Sequence, residues 1–211
     1  MQPGRTVYRG TETLMTKLDG RVALVTGGGR GIGRVIAQRL AAEGATIVVN
    51  YAISRDGAEE VVRSINALGG RAIAIQADIG RRVEVVRMFE QIDHDLGRLD
   101  ILVNCAGKSA STPLGALDGD LIDDLLGVNL RGPLYTANEA AKRLPSGGRI
   151  VNFSSSVVQF PFPGSSVYTG AKAAVKAFTE VWAKELGIKG ITVNTIIPGA
   201  TSTTLEFDWQ N

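Results

Sequence analysis

The sequence has little of several residue types that would place it in a specialised class of protein. Cysteine occurs once among 211 residues, as Cys105, so the chain can form no internal disulfide, and this suits a reducing compartment. Histidine also occurs once. We interpret His94, between Asp93 and Asp95, as a surface residue rather than a ligand, and we predict no metal site. No apolar run approaches the roughly 18 residues that a membrane-spanning helix needs.

An excess of charge of one sign is also lacking. The 23 basic and 21 acidic residues are interspersed and leave a net charge of +2, which does not favour binding to nucleic acid or to a membrane through a basic surface. Residues 1–20 are polar and have no apolar core of the kind that a signal peptide carries. We therefore expect a cytoplasmic protein with a flexible leader over residues 1–17 and a single domain over residues 18–211.

What the chain does have is a regular alternation of short apolar runs with helical patterns. The predicted strands are Arg21–Thr26, Thr46–Asn50, Arg71–Ala77, Leu99–Val103, Ile150–Phe153 and Ile191–Ile196. Strands alternating with helices predict an α/β fold, a doubly wound parallel sheet of the Rossmann type with six strands. In such sheets a ligand binds beyond the carboxyl ends of the strands, where the strand order reverses.

A glycine-rich turn follows the first predicted strand. Strand, glycine-rich turn and helix in that order are typical of a pyrophosphate site, because glycines allow close approach and the helix start offers free N–H groups. By itself such a turn is also consistent with a plain tight turn. The candidate cofactor-binding residues here are Gly27, Arg30, Gly31, Ile32 and Gly33.

The end of the second strand bears on the choice of cofactor. A free ribose 2′-hydroxyl usually meets an acidic residue there, but this chain has Asn50-Tyr51, followed by Ser54 and Arg55. Arginine suits a 2′-phosphate, so Arg30 and Arg55 favour NADP(H) over NAD(H). Both arginines could instead be solvated surface charges.

Tyr168 and Lys172 lie one helical turn apart in a helix predicted to begin near Val167. The ammonium should lower the pKa of the phenol, so that Tyr168 can give or take a proton at a carbonyl or alcohol oxygen. Ser155, at the end of the preceding strand, could hold that oxygen. An ordinary surface pair is the alternative for Tyr168 and Lys172 alone. For Cys105 we expect a small buried side chain rather than a nucleophile.

Taken together these residues resemble the short-chain dehydrogenase/reductase family, and most of all its 3-oxoacyl-carrier-protein-reductase-like members. The resemblance covers residues 18–204 and depends on an ordered set of motifs. They are Thr26-Gly27 with Gly31-Ile32-Gly33, Asp78, Asn104-Cys105-Ala106-Gly107, Asn129, Ser155, Tyr168 with Lys172, and Pro198-Gly199.

The resemblance implies an oxidoreductase acting on a small carbonyl or alcohol substrate, and Arg30 and Arg55 favour NADP(H) as its cofactor. In it Tyr168 is the general acid/base, Ser155 orients the substrate oxygen, and Lys172 lowers the Tyr168 pKa and holds the nicotinamide ribose. Asn129 maintains a water-linked proton relay. The further cofactor-binding residues that it implies are Asp78, Ile79, Asn104, Ala106, Gly107, Pro198, Gly199 and Thr201. It also implies a homodimer or homotetramer built on the long helices.

The chain departs from the family pattern in two places. Cys105 replaces a usual asparagine, which is a small change. The sequence given also stops at Asn211, so the C-terminal lid and seventh strand are expected to be missing, and Phe207 and Trp209 to have lost packing partners. The alternative function is therefore a truncated nucleotide-binding module with little or no catalysis.

Overall fold

The structure is a computed structural model that describes residues 17–201. Its strands are β1 (Val22–Val25), β2 (Thr46–Tyr51), β3 (Arg71–Gln76), β4 (Ile101–Asn104), β5 (Arg149–Phe153) and β6 (Thr192–Ile196). Its α-helices are α1 (Gly31–Ala42), α2 (Arg55–Ala67), α3 (Arg82–Leu96), α4 (Gly119–Leu126), α5 (Gly132–Ala141) and α6 (Ser166–Gly187). The expected leader, except for residue 17, lies outside the described residues, as do Phe207 and Trp209.

All six strands are parallel, in the order β3-β2-β1-β4-β5-β6. The order reverses between β1 and β4, because the chain first adds strands on one side of β1 and then returns to its other side. The predicted doubly wound sheet is therefore confirmed. The crevice beyond the carboxyl ends of β1 and β4 is where such a sheet places a ligand.

The two faces of the sheet bury separate apolar cores, because alternate residues of each strand point to opposite sides. In β1, Leu24 joins the core beneath α3, α5 and α6, whereas Val25 joins the core beneath α1 and α2. Phe89 and Ile92 of α3 are fully buried in the first core, and Val61 of α2 in the second. Helices on both faces thus hold the strands rigidly and leave their carboxyl ends free for a site. None of the helices in residues 17–201 is both long and apolar enough to cross a membrane.

The helical region before β5 is interrupted a little earlier than the sequence indicates. Proline kinks or interrupts a helix, so Gly132-Pro133 predicts a break at that point. In the structure α5 starts there, and the break is a π-helical turn over Gly127–Arg131. Pro133 has no N–H to donate to the carbonyl one turn before it, so the preceding backbone widens. Gly132 is needed at the junction, because an added Cβ would lie 2.6 Å from Cδ1 of Ile79. The widened turn carries the buried Asn129.

Candidate active site

The glycine-rich turn after β1 is shaped by close backbone contacts. Gly27 has φ +64°, and a Cβ added there would lie 2.9 Å from Cα of Ala106. A Cβ on Gly33 would lie 2.4 Å from the carbonyl oxygen of Gly27. Arg30 precedes α1 and makes no side-chain capping bond to it. The turn therefore brings backbone N–H groups and a helix N-terminus to the crevice, as an anionic pyrophosphate requires.

Thr26 ties the exit of β4 to this turn. Its hydroxyl is fully buried and accepts hydrogen bonds from the amides of Cys105 at 3.0 Å and Ala106 at 3.1 Å. Asn104 and Gly107 flank the tied segment, so residues 104–107 pass directly under the crevice. The motif that contains Thr26 does not by itself predict this role for its side chain. Its position as the last residue before the glycines was the available signal.

Asn50 supports the turn from the side of β2. Its side chain is 2% exposed, donates to the carbonyl of Ala77 at 3.0 Å, and accepts from the amide of Gly27 at 3.4 Å. These bonds favour a structural role for its side chain over direct contact with a ribose. Nevertheless, no carboxylate occupies position 50 to repel a phosphate.

Residues after β2 form an open rim. Tyr51 ends the strand, and Ser54 and Arg55 begin α2. Arg55 is largely exposed, and its Nε donates to Oε1 of Glu59 at 2.6 Å. Arg30 adjoins this rim, because a Cβ on its neighbour Gly29 would lie 2.9 Å from the amide nitrogen of Ala58.

Asp78 and Ile79 follow β3 and differ in what they can offer. The Asp78 carboxylate is partly exposed and accepts from the amide of Gly80 at 2.9 Å. The Ile79 side chain is 3% exposed and packs against Gly132. Only the backbone of Ile79 can therefore contact a cofactor, whereas the Asp78 carboxylate retains an exposed edge.

Ser155 and Tyr168 are brought together at the end of β5. Ser155 precedes a short 3₁₀ turn (Ser156–Val158) and its side chain is hydrogen-bonded to the Tyr168 hydroxyl. Tyr168 is 7% exposed in the first turns of α6. Burial raises the pKa of Tyr168, and the bond from Ser155 only partly opposes this. The expected lowering of this pKa is not found in the structure, because burial outweighs the other influences on the phenol.

Lys172 is buried below the Tyr168 ring. Its Nζ lies 5.7 Å from the ring centroid and donates to the carbonyl of Phe153 at 3.0 Å. Burial lowers the pKa of Lys172 to about 8, and the neighbouring Cys105 opposes this slightly. Burial likewise raises the pKa of the Cys105 thiol to about 11, which makes this cysteine a poor nucleophile. The sequence predicts a small buried side chain here, whereas Cys105 is half-buried rather than fully buried.

Asn129 clamps the loop after β4. Its Nδ2 donates to the carbonyl of Lys108 at 2.6 Å and its Oδ1 accepts from the amide of Lys108 at 3.2 Å. A Cβ on Gly107 would lie 3.3 Å from Oδ1 of Asn129 and 3.6 Å from Nζ of Lys172. Asn129, Gly107 and Lys172 therefore meet in one small volume next to Tyr168.

The remaining candidates follow β6. Pro198 accepts a hydrogen bond from the amide of Ser156 at 3.0 Å, which places the β6 exit beside Ser155. Gly199 and Thr201 are exposed, and a Cβ on Gly199 would meet nothing within 4 Å. The structure thus brings Pro198 to the site and leaves the next residues at its edge.

The residue types that bind metal ions form no site in the described part of the chain. Within residues 17–201, no three His, Cys, Asp or Glu side chains are grouped closely enough to hold a metal ion. His94 is exposed and its Nδ1 lies 2.8 Å from Oδ1 of Asp95, which agrees with a surface position.

Comparison with known proteins identifies the family and the fold. Residues 21–210 match the family model described as short chain dehydrogenase. A short-chain dehydrogenase/reductase from Pestalotiopsis microspora is 41% identical over 94% of this chain and 75% of its own length. A short chain dehydrogenase from Burkholderia cenocepacia, solved in complex with NADP, is 45% identical, with a TM-score of 0.87 over 90% of this chain and 78% of that one.

A third match is a relative solved with NADP and a second bound molecule. The landomycin C-6 ketoreductase LanV, solved with NADP and rabelomycin, is 37% identical, with a TM-score of 0.84 over 88% of this chain and 78% of that one. The family match over residues 21–210 includes the glycine turn and Ser155, Tyr168 and Lys172. The chain therefore belongs to the short-chain dehydrogenase/reductase family of oxidoreductases.

Proposed function

We propose that this protein is an NADP(H)-dependent oxidoreductase that interconverts a carbonyl compound and an alcohol. The observation that carries the proposal is the cluster of Ser155, Tyr168 and Lys172 at the carboxyl ends of the strands. The cluster adjoins the segment 104–107, which the glycine turn contacts through Gly27 and Ala106. A proton-transfer group thus lies beside a nucleotide-binding turn, the combination that reduction of a carbonyl needs.

The glycine turn after β1 has the shape that a dinucleotide pyrophosphate needs. The volumes that a Cβ would occupy at Gly27 and Gly33 are filled by backbone, so the turn keeps its backbone accessible only with glycine. When bound, the cofactor supplies or accepts a hydride at its nicotinamide ring. Asp78, Ile79 through its backbone, and the segment 104–107 would line its path.

The proton is the part of the reaction that the chain itself handles. Tyr168 protonates the developing alkoxide in the reductive direction and removes the alcohol proton in the reverse direction. Ser155 holds the substrate oxygen next to the phenol. Lys172, positively charged below its pKa of about 8, stabilises the phenolate that reduction leaves behind. Asn129, through the Lys108 carbonyl, supports a relay that returns the proton from water.

The proposed preference for NADP(H) has two supports. The end of β2 has no carboxylate, and Arg30 and Arg55 stand at the open rim. Arg55 would exchange its exposed pairing with Glu59 for a phosphate, at little cost because surface ion pairs contribute little. The relatives solved with NADP point the same way.

The substrate class is the finest part of the proposal. The resemblance to 3-oxoacyl-carrier-protein reductases favours a ketone, and so does the ketoreductase activity named for LanV. We therefore propose ketone reduction as the physiological direction. A cytoplasmic location and a homodimer or homotetramer remain predictions, and sedimentation of the purified chain would test the latter.

The decisive experiment is to titrate the protein with NADPH by fluorescence and then to assay a panel of ketones. We expect binding, tighter for NADPH than for NADH, and turnover of at least one ketone. Binding without turnover would instead support a nucleotide-binding module. Equal or better binding of NADH would contradict the roles of Arg30 and Arg55.

A further inference from the structure

Four buried polar side chains form a continuous chain of hydrogen bonds beneath the site. Thr136, Asn104, Asn152 and Thr179 are each no more than 5% exposed. The bonds are Thr136 Oγ1 to Asn104 Oδ1 at 2.7 Å, Asn104 Nδ2 to Asn152 Oδ1 at 2.9 Å, and Asn152 Nδ2 to Thr179 Oγ1 at 2.8 Å. We call this set the buried amide chain. It joins α5, β4, β5 and α6 in one line.

The donor-to-acceptor direction of the hydrogen bonds in the buried amide chain is fixed at its Thr179 end. Thr179 Oγ1 lies 2.8 Å from the carbonyl of Val175, which can only accept, so the hydroxyl proton points there. The Thr179 oxygen must then accept from the amide of Asn152, which leaves Asn152 Oδ1 to accept from Asn104. A buried set with a single consistent order of donors resists sliding, because a shifted partner would leave polar groups without bonds.

Three consecutive residues of β5 and its exit hold α6. Asn152 bonds the side chain of Thr179, the carbonyl of Phe153 accepts from Nζ of Lys172, and Ser154 Oγ donates to the carbonyl of Lys172 at 2.9 Å. Ser155, the next residue, bonds Tyr168. The strand and the helix are therefore fastened together by polar contacts along their shared length.

The helical period places Thr179 on the same side of α6 as the catalytic pair. Tyr168, Lys172, Val175 and Thr179 all lie among the buried residues of the helix, at spacings of three, four and seven that fall on one face. A movement of α6 along β5 that broke the Asn152–Thr179 bond would carry Tyr168 away from Ser155. The Asn152–Thr179 hydrogen bond can therefore determine the position of the Tyr168 hydroxyl relative to Ser155.

We propose that Asn152 and Thr179 are positioning residues that fix the catalytic helix in register with Ser155. This inference rests on the proposed function, since Tyr168 and Ser155 act together in that reaction. Both side chains are buried and hydrogen-bonded within the buried amide chain, so the role that we propose for them is indirect. Their effect is on where the Tyr168 hydroxyl and the Lys172 ammonium stand.

The test is the substitution Thr179→Val, which keeps the shape of the side chain and removes its hydroxyl. With 9,10-phenanthrenequinone as the ketone and NADPH as the reductant, we expect kcat to fall roughly 10- to 100-fold with little change in the KM for NADPH. The pH profile of kcat should shift as well, because Tyr168 and Lys172 change surroundings. Thr179→Ser keeps the hydroxyl and should restore both.

Thr195→Val is the matched control. Thr195 lies on β6, paired in register with Asn152, and within residues 17–201 its Oγ1 is the buried side-chain polar atom without a hydrogen-bond partner. The same substitution there removes a hydroxyl but no bond, so kcat and its pH profile should stay as in the wild type. A lower Tm for Thr179→Val with unchanged kcat and pH profile would overturn the proposal, because it would show a structural role only.

Hydrogen exchange tests the same idea without turnover. We expect Thr179→Val to lower amide protection at the catalytic turn, residues 168–172, as well as near position 179, and Thr195→Val to change neither. Loss of protection confined to the surroundings of position 179 would contradict the inference. If the wild type reduced no ketone, the proposed function would fail, while the exchange measurement would still decide whether Thr179 positions the catalytic turn.

Discussion

Lys172 is the most constrained side chain at the residue scale. It is 3% exposed, it donates to a single backbone carbonyl, and it lies close beneath the ring of Tyr168. A buried ammonium is costly unless it is well paired, and burial accordingly lowers its pKa to about 8. Its protonation therefore changes within the range of pH that enzymes are assayed in.

This pKa gives a prediction about stability. The pKa of a lysine in the unfolded chain is near 10.5, so between about pH 8 and pH 10.5 the unfolded state binds more protons than the folded state. Stability contributed by Lys172 must then rise with pH in that window. From pH 7.5 to pH 9 we expect the wild type to gain on the order of 1 kcal/mol in free energy of unfolding relative to Lys172→Met, measured by urea unfolding.

A control separates burial from the loss of a charge. Lys176 lies one turn further along α6, is 47% exposed, and pairs with Glu180 at 3.0 Å. Lys176→Met removes this exposed charge and should change the free energy of unfolding by well under about 1 kcal/mol. The range ends at pH 9 because Cys105 and Tyr168, whose pKa values burial raises, act in the opposite direction above it. A pH-independent difference for Lys172→Met would contradict the burial of a titrating ammonium.

At the scale of elements, the glycine turn and the start of α1 act as one unit. The carbonyl of Gly27 occupies the place that a side chain at position 33 would need, so the first turn of α1 can pack against the glycine turn only with glycine at that position. Overpacking of this kind shifts backbone rather than a flexible side chain. The shift would fall on the groups that face the pyrophosphate.

Gly33→Ala should therefore weaken NADPH binding by at least about tenfold and lower the Tm, since displaced backbone costs roughly 1–3 kcal/mol. Fluorescence titration and thermal unfolding measure the two effects. Gly187→Ala, at the end of α6, is the matched variant, because an added Cβ there meets nothing within 4 Å. It should leave NADPH affinity unchanged and keep or slightly raise the Tm, because alanine favours a helix more than glycine does. Wild-type affinity in Gly33→Ala would show that the turn does not carry the phosphates.

The elements also show which features the sequence could and could not predict. The six strands and their helices were predictable, because short apolar runs and helical periods are local signals that a parallel sheet makes consistent. The ordered motifs likewise indicated Ser155, Tyr168 and Lys172. The partners of Asn50 were not predictable, since they lie on segments distant in sequence. Gly132-Pro133 predicts a break in the helix but not that the break takes the form of a π-helical turn before it. The pKa of Tyr168 was predicted in the wrong direction, because a sequence shows the neighbouring charge but not the burial.

At the scale of the whole molecule, Asp100 joins the two halves of the sheet at the end opposite the site. Its carboxylate is 1% exposed and accepts from Arg21 at 2.9 Å, from Arg98 at 2.6 and 2.8 Å, and from the amide of Val22 at 2.9 Å. Burial alone would raise the pKa of Asp100, but these bonds outweigh it and lower the pKa. The carboxylate thus stabilises the contact between β1 and β4 above its unfolded pKa, and this stability is lost as pH falls.

Asp100→Asn should reduce the free energy of unfolding by about 2 kcal/mol at pH 7, since it removes one partner of a buried charged set whose arginines remain half exposed. The difference in free energy of unfolding between wild type and Asp100→Asn should become smaller at acidic pH, where Asp100 of the wild type is protonated. Urea unfolding at several pH values measures this. Glu60→Gln breaks the exposed pair with Arg34 and should cost far less. Equal costs for the two variants would contradict the account of Asp100.

The proposed activity of the whole molecule requires that Tyr168 transfers a proton to a substrate held beside a bound nicotinamide. The most direct measurement is single-turnover oxidation of prebound NADPH by a ketone in wild type and in Tyr168→Phe, with NADPH affinity measured in parallel. The account predicts unchanged NADPH binding and a rate that is lower by about 10²- to 10⁴-fold in the variant. An undiminished rate in Tyr168→Phe would contradict it.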